Sequence, residues 1–188
     1  HHHAHACWIL LKLGQEGNRL LDKAIIWIKK RQRSDGGWLH RSMVNKGSTY
    51  DNQLSCIWTT MEVLQLLSCR TSFAKSKEVA SGIEFIAGRL FHDSSTNFLK
   101  SYSPWDTFKM GESGDSIFTG GSVKMMECAV NHGLGFKHPM VDKLYNGLLF
   151  TQMKSGYFPG VKSKKPIRDA MVTVRILSLI RKLHMQDS

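Results

Sequence analysis

Apolar residues along this chain recur at helical spacing, in two kinds of stretch that alternate. Over 19–32, Leu20, Leu21, Ala24, Ile25, Trp27 and Ile28 fall on one side, with Arg19, Asp22, Lys23, Lys29 and Lys30 on the other. That is the single buried stripe of a surface helix. Over 53–67, Leu54, Ile57, Trp58, Met61, Val63, Leu64, Leu66 and Leu67 leave almost no polar face, which predicts a helix buried all round. Asp51 or Asn52 stands where its cap is expected. The same two kinds continue along the chain. Residues 4–13 are strongly apolar and stop at Gly14 and Gly17, and 76–91 are amphipathic. Residues 121–132 carry Met125, Met126, Cys128, Ala129 and Val130 and end at Gly133 and Gly135. An amphipathic stretch over 139–152 opens on Pro139, a position where proline is tolerated, and 168–183 are again apolar. Residues 39–51 and 92–116 read as loops. No segment alternates with period two. The expectation is an all-α chain of about seven helices, buried and surface helices in strict alternation.

A second pattern lies over the first. Lys23, Gln32, Gly36 and Trp38 each have a counterpart 120 residues later, in Lys143, Gln152, Gly156 and Phe158. A weaker copy sits between them, where Ser81-Gly82-Ile83-Glu84-Phe85-Ile86 matches the first half and Phe98 lies 60 residues from both Trp38 and Phe158. In each full copy a surface helix ends in a glycine turn and then an aromatic residue. A repeat of this size built from helical hairpins predicts stacking of neighbour on neighbour.

The first copy resembles the glutamine–tryptophan repeat of the squalene and oxidosqualene cyclases. Lys23, Ala24, Trp27, Ile28, Gln32, Gly36 and Trp38 fill its slots. The later copy keeps Lys143, Leu148, Gln152, Gly156 and Phe158, with Gly147 in the place of the first aromatic. Protein prenyltransferase β subunits share the same ring of hairpins. The resemblance therefore implies a prenyltransferase/squalene-cyclase-like α/α toroid, here a partial ring, spanning residues 1–188 as one domain of a longer protein. It also implies a structural role for Gln32, Gly36, Trp38, Gln152, Gly156 and Phe158. In the family the glutamine bonds backbone groups at the ends of neighbouring helices, and the aromatic stacks over it. By the same resemblance a closed ring takes more hairpins than this chain supplies, so the expectation is that a second copy or a further segment completes it, or that the ring is open and compact.

Composition narrows this picture little. Hydrophobic residues make up 41% of the 188 and charged residues 22%, ordinary values for a globular chain. No apolar run approaches the roughly 20 residues of a membrane span. Cys7, Cys56, Cys69 and Cys128 show no close pairing, which suits a reducing, cytoplasmic setting. His1, His2 and His3 read either as a purification tag or as native sequence. The net charge of +11 would suit an anionic partner, although nucleic acid is not the partner expected.

The chemistry that the family uses is absent or incomplete. Its cyclases protonate substrate with an Asp-x-Asp-Asp motif, and the nearest stretches here are Tyr50-Asp51-Asn52-Gln53 and Glu112-Ser113-Gly114-Asp115. Its transferases hold zinc with Asp, Cys and His. Cys128 and His132, spaced i and i+4, are the weak metal candidates, and no cofactor is expected. Residues placed to look into a central cavity are Tyr50, Asp51, Trp58, Thr59, Trp105, Phe118, Arg168 and Asp169, with Thr119 and Thr173 beside them. Aromatic rings against a hydrocarbon chain and Arg168 against phosphate would suit an isoprenoid diphosphate. The leading expectation is a repeat domain that binds a hydrophobic or isoprenoid ligand without the family's catalytic motif. The alternatives are a zinc-dependent prenyltransferase or terpenoid cyclase subunit, and a basic helical scaffold for protein or nucleic acid.

Overall fold

The computed structural model describes residues 2–40, 53–90, 121–158 and 166–186, with the backbone alone for 166–169. Among these residues there are eight helices and no strand: α1 (His2–Lys12), α2 (Arg19–Lys29), α3 (Ile57–Leu67), α4 (Thr71–Ala74), α5 (Lys77–Ala87), α6 (Gly121–Asn131), α7 (Pro139–Phe150) and α8 (Pro166–Gln186). The all-α class is as expected. The helices belong to two compact units, His1–Ser103 and Pro104–Ser188.

In the first unit α3 is the hub, packed against α1 and α5. All eleven of its residues are buried. Each large apolar side chain it buries contributes on the order of 1.5–3 kcal/mol. The helix starts later than the pattern predicts. Its N-cap is Cys56, whose Sγ accepts from the Thr59 N–H at 3.5 Å, so neither Asp51 nor Asn52 caps it. The reason is that the preceding N–H groups are committed elsewhere. Ser55 N–H donates to the Asp35 carboxylate at 2.9 Å and Cys56 N–H to the Trp38 carbonyl at 2.9 Å.

The surface helix α2 is capped by Asn18, whose side-chain oxygen accepts from Leu20 N–H at 2.9 Å and Leu21 N–H at 3.4 Å. It buries Leu21, Ile25 and Ile28, the i, i+4, i+7 stripe of an amphipathic helix. The helix α5 buries the same three positions with Val79, Ile83 and Ile86. The single turn α4 between α3 and α5 was not expected, because four residues are too few to show a period.

The strict alternation of buried and surface helices needs correcting at α1. It buries Ala4, Cys7 and Leu11 against α2 and α3, while Ile9 and Leu10, with Leu13 just past its end, are exposed.

In the second unit α6 packs against α7 and α8 and buries nine of its eleven residues. The surface helix α7 opens on Pro139 behind an N-cap at His138, whose Nδ1 accepts from Met140 N–H at 3.3 Å. The N-caps of α2 and α7 thus stand 120 residues apart, like the glutamines. The last helix, α8, is longer than its apolar pattern suggests, and Gln186 near its end donates to the Val130 carbonyl of α6 at 2.8 Å. It buries Val172, Thr173, Ile176, Leu179 and Leu183 but exposes Met171, Val174 and Leu177. It is therefore also a half-covered helix, not an inner one.

Candidate functional site

The two repeated turns share one set of backbone and glutamine hydrogen bonds. After α2, Gly36 N–H donates to the Arg33 carbonyl at 3.0 Å and Arg33 N–H to the Gly37 carbonyl at 3.0 Å. After α7, Gly156 N–H donates to the Met153 carbonyl at 2.8 Å and Met153 N–H to the Tyr157 carbonyl at 2.8 Å. Both turns need a residue at positive φ, and Gly36 at +87° and Gly156 at +85° supply it. The Gln32 amide donates to the Gly36 carbonyl at 2.7 Å, and the Gln152 amide to the Gly156 carbonyl at 2.8 Å. The buried aromatic then closes each turn. Trp38 N–H donates to Thr60 Oγ1 at 3.0 Å, and Phe158 N–H to Thr173 Oγ1 at 2.8 Å. The repeat is therefore one of hydrogen bonding as well as of sequence.

The copies differ in what covers them. Gln32 uses its second amide hydrogen on the Glu78 carbonyl of α5, at 2.6 Å. A Cβ on Gly36 would meet the Ser81 carbonyl oxygen at 2.4 Å, so the first turn of α5 lies directly on the loop. Lys29 of α2 pairs with Glu78 at 3.3 Å in the same contact. Trp38 Nε1–H also donates to the Ile28 carbonyl at 2.8 Å. Gln152 is exposed, and a Cβ on Gly156 would meet nothing within 4 Å.

Asp35, in the first turn, is an acid with a structural task. Its carboxylate accepts from Gly37 N–H at 3.1 Å, Ser55 N–H at 2.9 Å and Ser55 Oγ–H at 2.6 Å. Burial pulls its pKa up. The Ser55 hydroxyl, the Ser55 and Gly37 N–H groups and the nearby Arg33 charge outweigh this and hold it below the ordinary carboxylate value. Such an environment keeps the group ionised, the opposite of what a general acid requires.

Two polar pairs tie packed helices together within the units. His5 Nδ1 of α1 lies 3.1 Å from Glu62 Oε2 of α3, and the Glu62 side chain is buried. His5 also packs against Trp8, with ring centroids 5.4 Å apart. In the second unit Arg175 of α8 grips Glu127 of α6 through both carboxylate oxygens. Glu62 follows Thr60 by two positions and Arg175 follows Thr173 by two. Each aromatic-bonding threonine is thus followed at the same interval by a charge directed at the neighbouring helix. Of these charges Glu62 is the buried one, and a buried charge is tolerated only with such a partner.

Of the cavity candidates, Trp58 and Thr59 are placed together in the first turn of α3, 2% and 3% exposed. Thr59 Oγ1 is buried and has no hydrogen-bond partner among the described residues. Tyr50, Asp51, Trp105, Phe118 and Thr119 lie outside the described residues. Of Arg168 and Asp169 only the backbone, in the first turn of α8, is described. Thr173 accepts from Phe158 N–H through its Oγ1. Cys128 is buried in α6, and His132 follows at the end of that helix with its N–H on the Cys128 carbonyl at 3.0 Å. Among the described residues no three His, Cys, Asp or Glu side chains gather as metal ligands would.

Sequence reasoning missed Thr60 as a turn residue and Asp35 as the anchor of the 53–56 segment. The signal for Thr60 was faint: a hydroxyl in an otherwise apolar buried helix, echoed by Thr173. No protein-family model, curated protein or solved structure matches the chain.

Proposed function

We propose that this chain is a helical-hairpin repeat domain of the prenyltransferase/squalene-cyclase kind that holds a hydrophobic, isoprenoid-type ligand and lacks the family's acid chemistry. The wiring of Gln32, Gly36 and Trp38 supports the repeat assignment, because it matches the structural role that the resemblance implies for those residues. The observation that carries the ligand reading is the Thr59 hydroxyl. An unsatisfied buried hydroxyl costs on the order of 1–3 kcal/mol, and natural structures rarely keep one without a use. This one lies beside a tryptophan in the first turn of an eleven-residue helix, whose positive end favours an anionic group. A ligand with a hydrocarbon chain and a phosphate or hydroxyl head satisfies both neighbours at once.

The test is thermal unfolding with farnesyl diphosphate, on the native chain and on Thr59→Val. Ligand at a hundredfold excess over its Kd adds about 2.7 kcal/mol, a rise of roughly 5–10 °C for a chain of this length. Thr59→Val keeps the shape and removes the orphaned hydroxyl. It is expected to unfold at or above the native temperature without ligand and to lose most of the ligand-dependent rise. No rise with farnesyl diphosphate, or an unchanged rise in Thr59→Val, counts against the proposal.

A further inference from the structure

The turn after α7 has the hydrogen-bonding apparatus of the turn after α2 but not its cover. In the first unit the second amide hydrogen of Gln32 and the open face of Gly36 are both taken up by the first turn of α5, through Glu78 and Ser81. Gln152 and Gly156 present the same donor and the same open face to solvent. Around them Leu149 is 39% exposed and Phe150 94%, with Met153 and Tyr157 also exposed.

The molecule carries a second helix that matches α5. Both α2 and α5 have eleven residues, a polar N-cap residue (Asn18 and Ser76) and buried side chains at the third, seventh and tenth positions. Glu78 is the second residue of α5, and its counterpart in α2 is Leu20; Ser81 is the fifth, and its counterpart is Lys23. Arg19, Leu20 and Lys23 are exposed, Leu20 to 75%. The ion-pair positions of the first contact also have counterparts in the second. Where α5 meets α2, Lys29 faces Glu78. The position 120 residues after Lys29 is Leu149, and the position matching Glu78 is Leu20. The ion pair of the first contact becomes an aliphatic pair in the second, and both leucines stand exposed.

We propose that the first turn of α2 from a second copy of this chain docks on the Gln152–Gly156 turn, repeating between molecules the contact that α5 makes on the Gln32–Gly36 turn within one. Gln152 donates its second amide hydrogen to the Leu20 carbonyl of that copy, the Lys23 carbonyl covers Gly156, and Leu20 packs on Leu149. The contact joins different surfaces of the two copies and is therefore heterologous, closing into a ring or propagating as a chain.

Sedimentation velocity of the whole chain, from low micromolar to several hundred micromolar, tests this together with three variants at exposed positions. The native chain is expected to associate as concentration rises. Leu20→Glu and Leu149→Lys each bury an unpaired charge in the contact and are expected to weaken association roughly tenfold or more, about 1.4 kcal/mol. The double variant recreates the Lys29–Glu78 pair at the new contact and is expected to recover much of the loss. A native chain that stays monomeric over the whole range overturns the proposal, as does a double variant that associates no better than the single ones.

Discussion

Replacing Gln32 by alanine tests the most developed contact in the molecule, and Gln152 provides its internal control. Gln32 holds two backbone carbonyls, Gly36 at 2.7 Å and Glu78 at 2.6 Å, in a partly buried setting. Gln152 holds one, Gly156 at 2.8 Å, in the open. A net hydrogen bond contributes about 0.5–1.5 kcal/mol, and a carbonyl left dry costs more than a mean bond. Gln32→Ala is therefore expected to lose about 2–3 kcal/mol. Gln152→Ala is expected to lose about 0.5 kcal/mol or less, because water takes the place of the amide. With a urea m-value of about 2 kcal/mol/M the first loss moves the midpoint by roughly 1 M, and the second barely moves it. Gln32→Glu is expected to be worse than Gln32→Ala, since it points a carboxylate at two carbonyls with no donor between them.

Tryptophan fluorescence reads the relevant transition directly. Trp8, Trp27, Trp38 and Trp58 lie in the first unit and only Trp105 in the second. Far-UV circular dichroism follows both units, so a second transition that Gln32→Ala leaves in place would show as a difference between the probes. The measurements belong at low micromolar protein, where association at Gln152 does not contribute. Equal midpoint shifts for Gln32→Ala and Gln152→Ala would refute the reasoning, for they would mean that the α5 contact adds nothing to the glutamine.

Two further outcomes follow from neighbouring bonds. Trp38→Phe keeps a ring of the kind found at Phe158 but loses the Nε1–H bond to Ile28, so a loss of about 1–2 kcal/mol is expected, against roughly 3–5 kcal/mol for Trp38→Ala; parallel urea melts of the two variants check this, and equal losses would mean that the indole N–H contributes most of the effect. Asp35→Asn is expected to destabilise the chain at neutral pH and to converge on the native chain in acid. The Asp35 pKa is lowered on folding, so its contribution is complete above the ordinary value of about 3.9 and disappears as pH falls through the lower folded value. His40, pushed down to about 4 chiefly by burial, gives a separate loss that begins as pH falls through about 6.5. Urea midpoints at neutral pH, between the two windows and below about pH 4 separate the groups; a gap between Asp35→Asn and native that stays constant into strong acid would rule out the charge as its source.

What could be read from the chain beforehand was whatever acts over short distances. Gln32 bonds a carbonyl four residues away, Gly36 sets one φ, and the same residues recur at Gln152 and Gly156. Local function at a fixed interval leaves a periodic trace. The threonine acceptors leave none, because Thr60 follows Trp38 by 22 residues and Thr173 follows Phe158 by 15. The connecting segments differ in length, so no single spacing aligns the two. Asp35 has no counterpart at all, since Ser155 stands at the matching place. Its partner Ser55 lies in a stretch that the hydrophobic pattern assigns to helix, and only the direction of its N–H shows otherwise.

Burial was the least legible property, and the reason bears on what the chain does. The alternating pattern puts α3 and α8 in one class, yet α3 is buried on every side while α8, which also carries Arg175, Arg181 and Lys182, exposes Met171, Val174 and Leu177. A helix sequence states which of its faces tolerate a neighbour; whether the neighbour exists depends on the rest of the assembly. The first helix, α1, makes the same point, with Ile9 and Leu10 exposed on a helix that reads as inner. Apolar surface left open on a helix is where a further element can pack. Leu20 and Leu149 stand where the covered copy has Glu78 and Lys29, so charge has been lost at both positions that a second molecule would bring together. Two exposed leucines replacing an ion pair are a liability for a chain that works alone and an asset for one that repeats its own packing with a second copy.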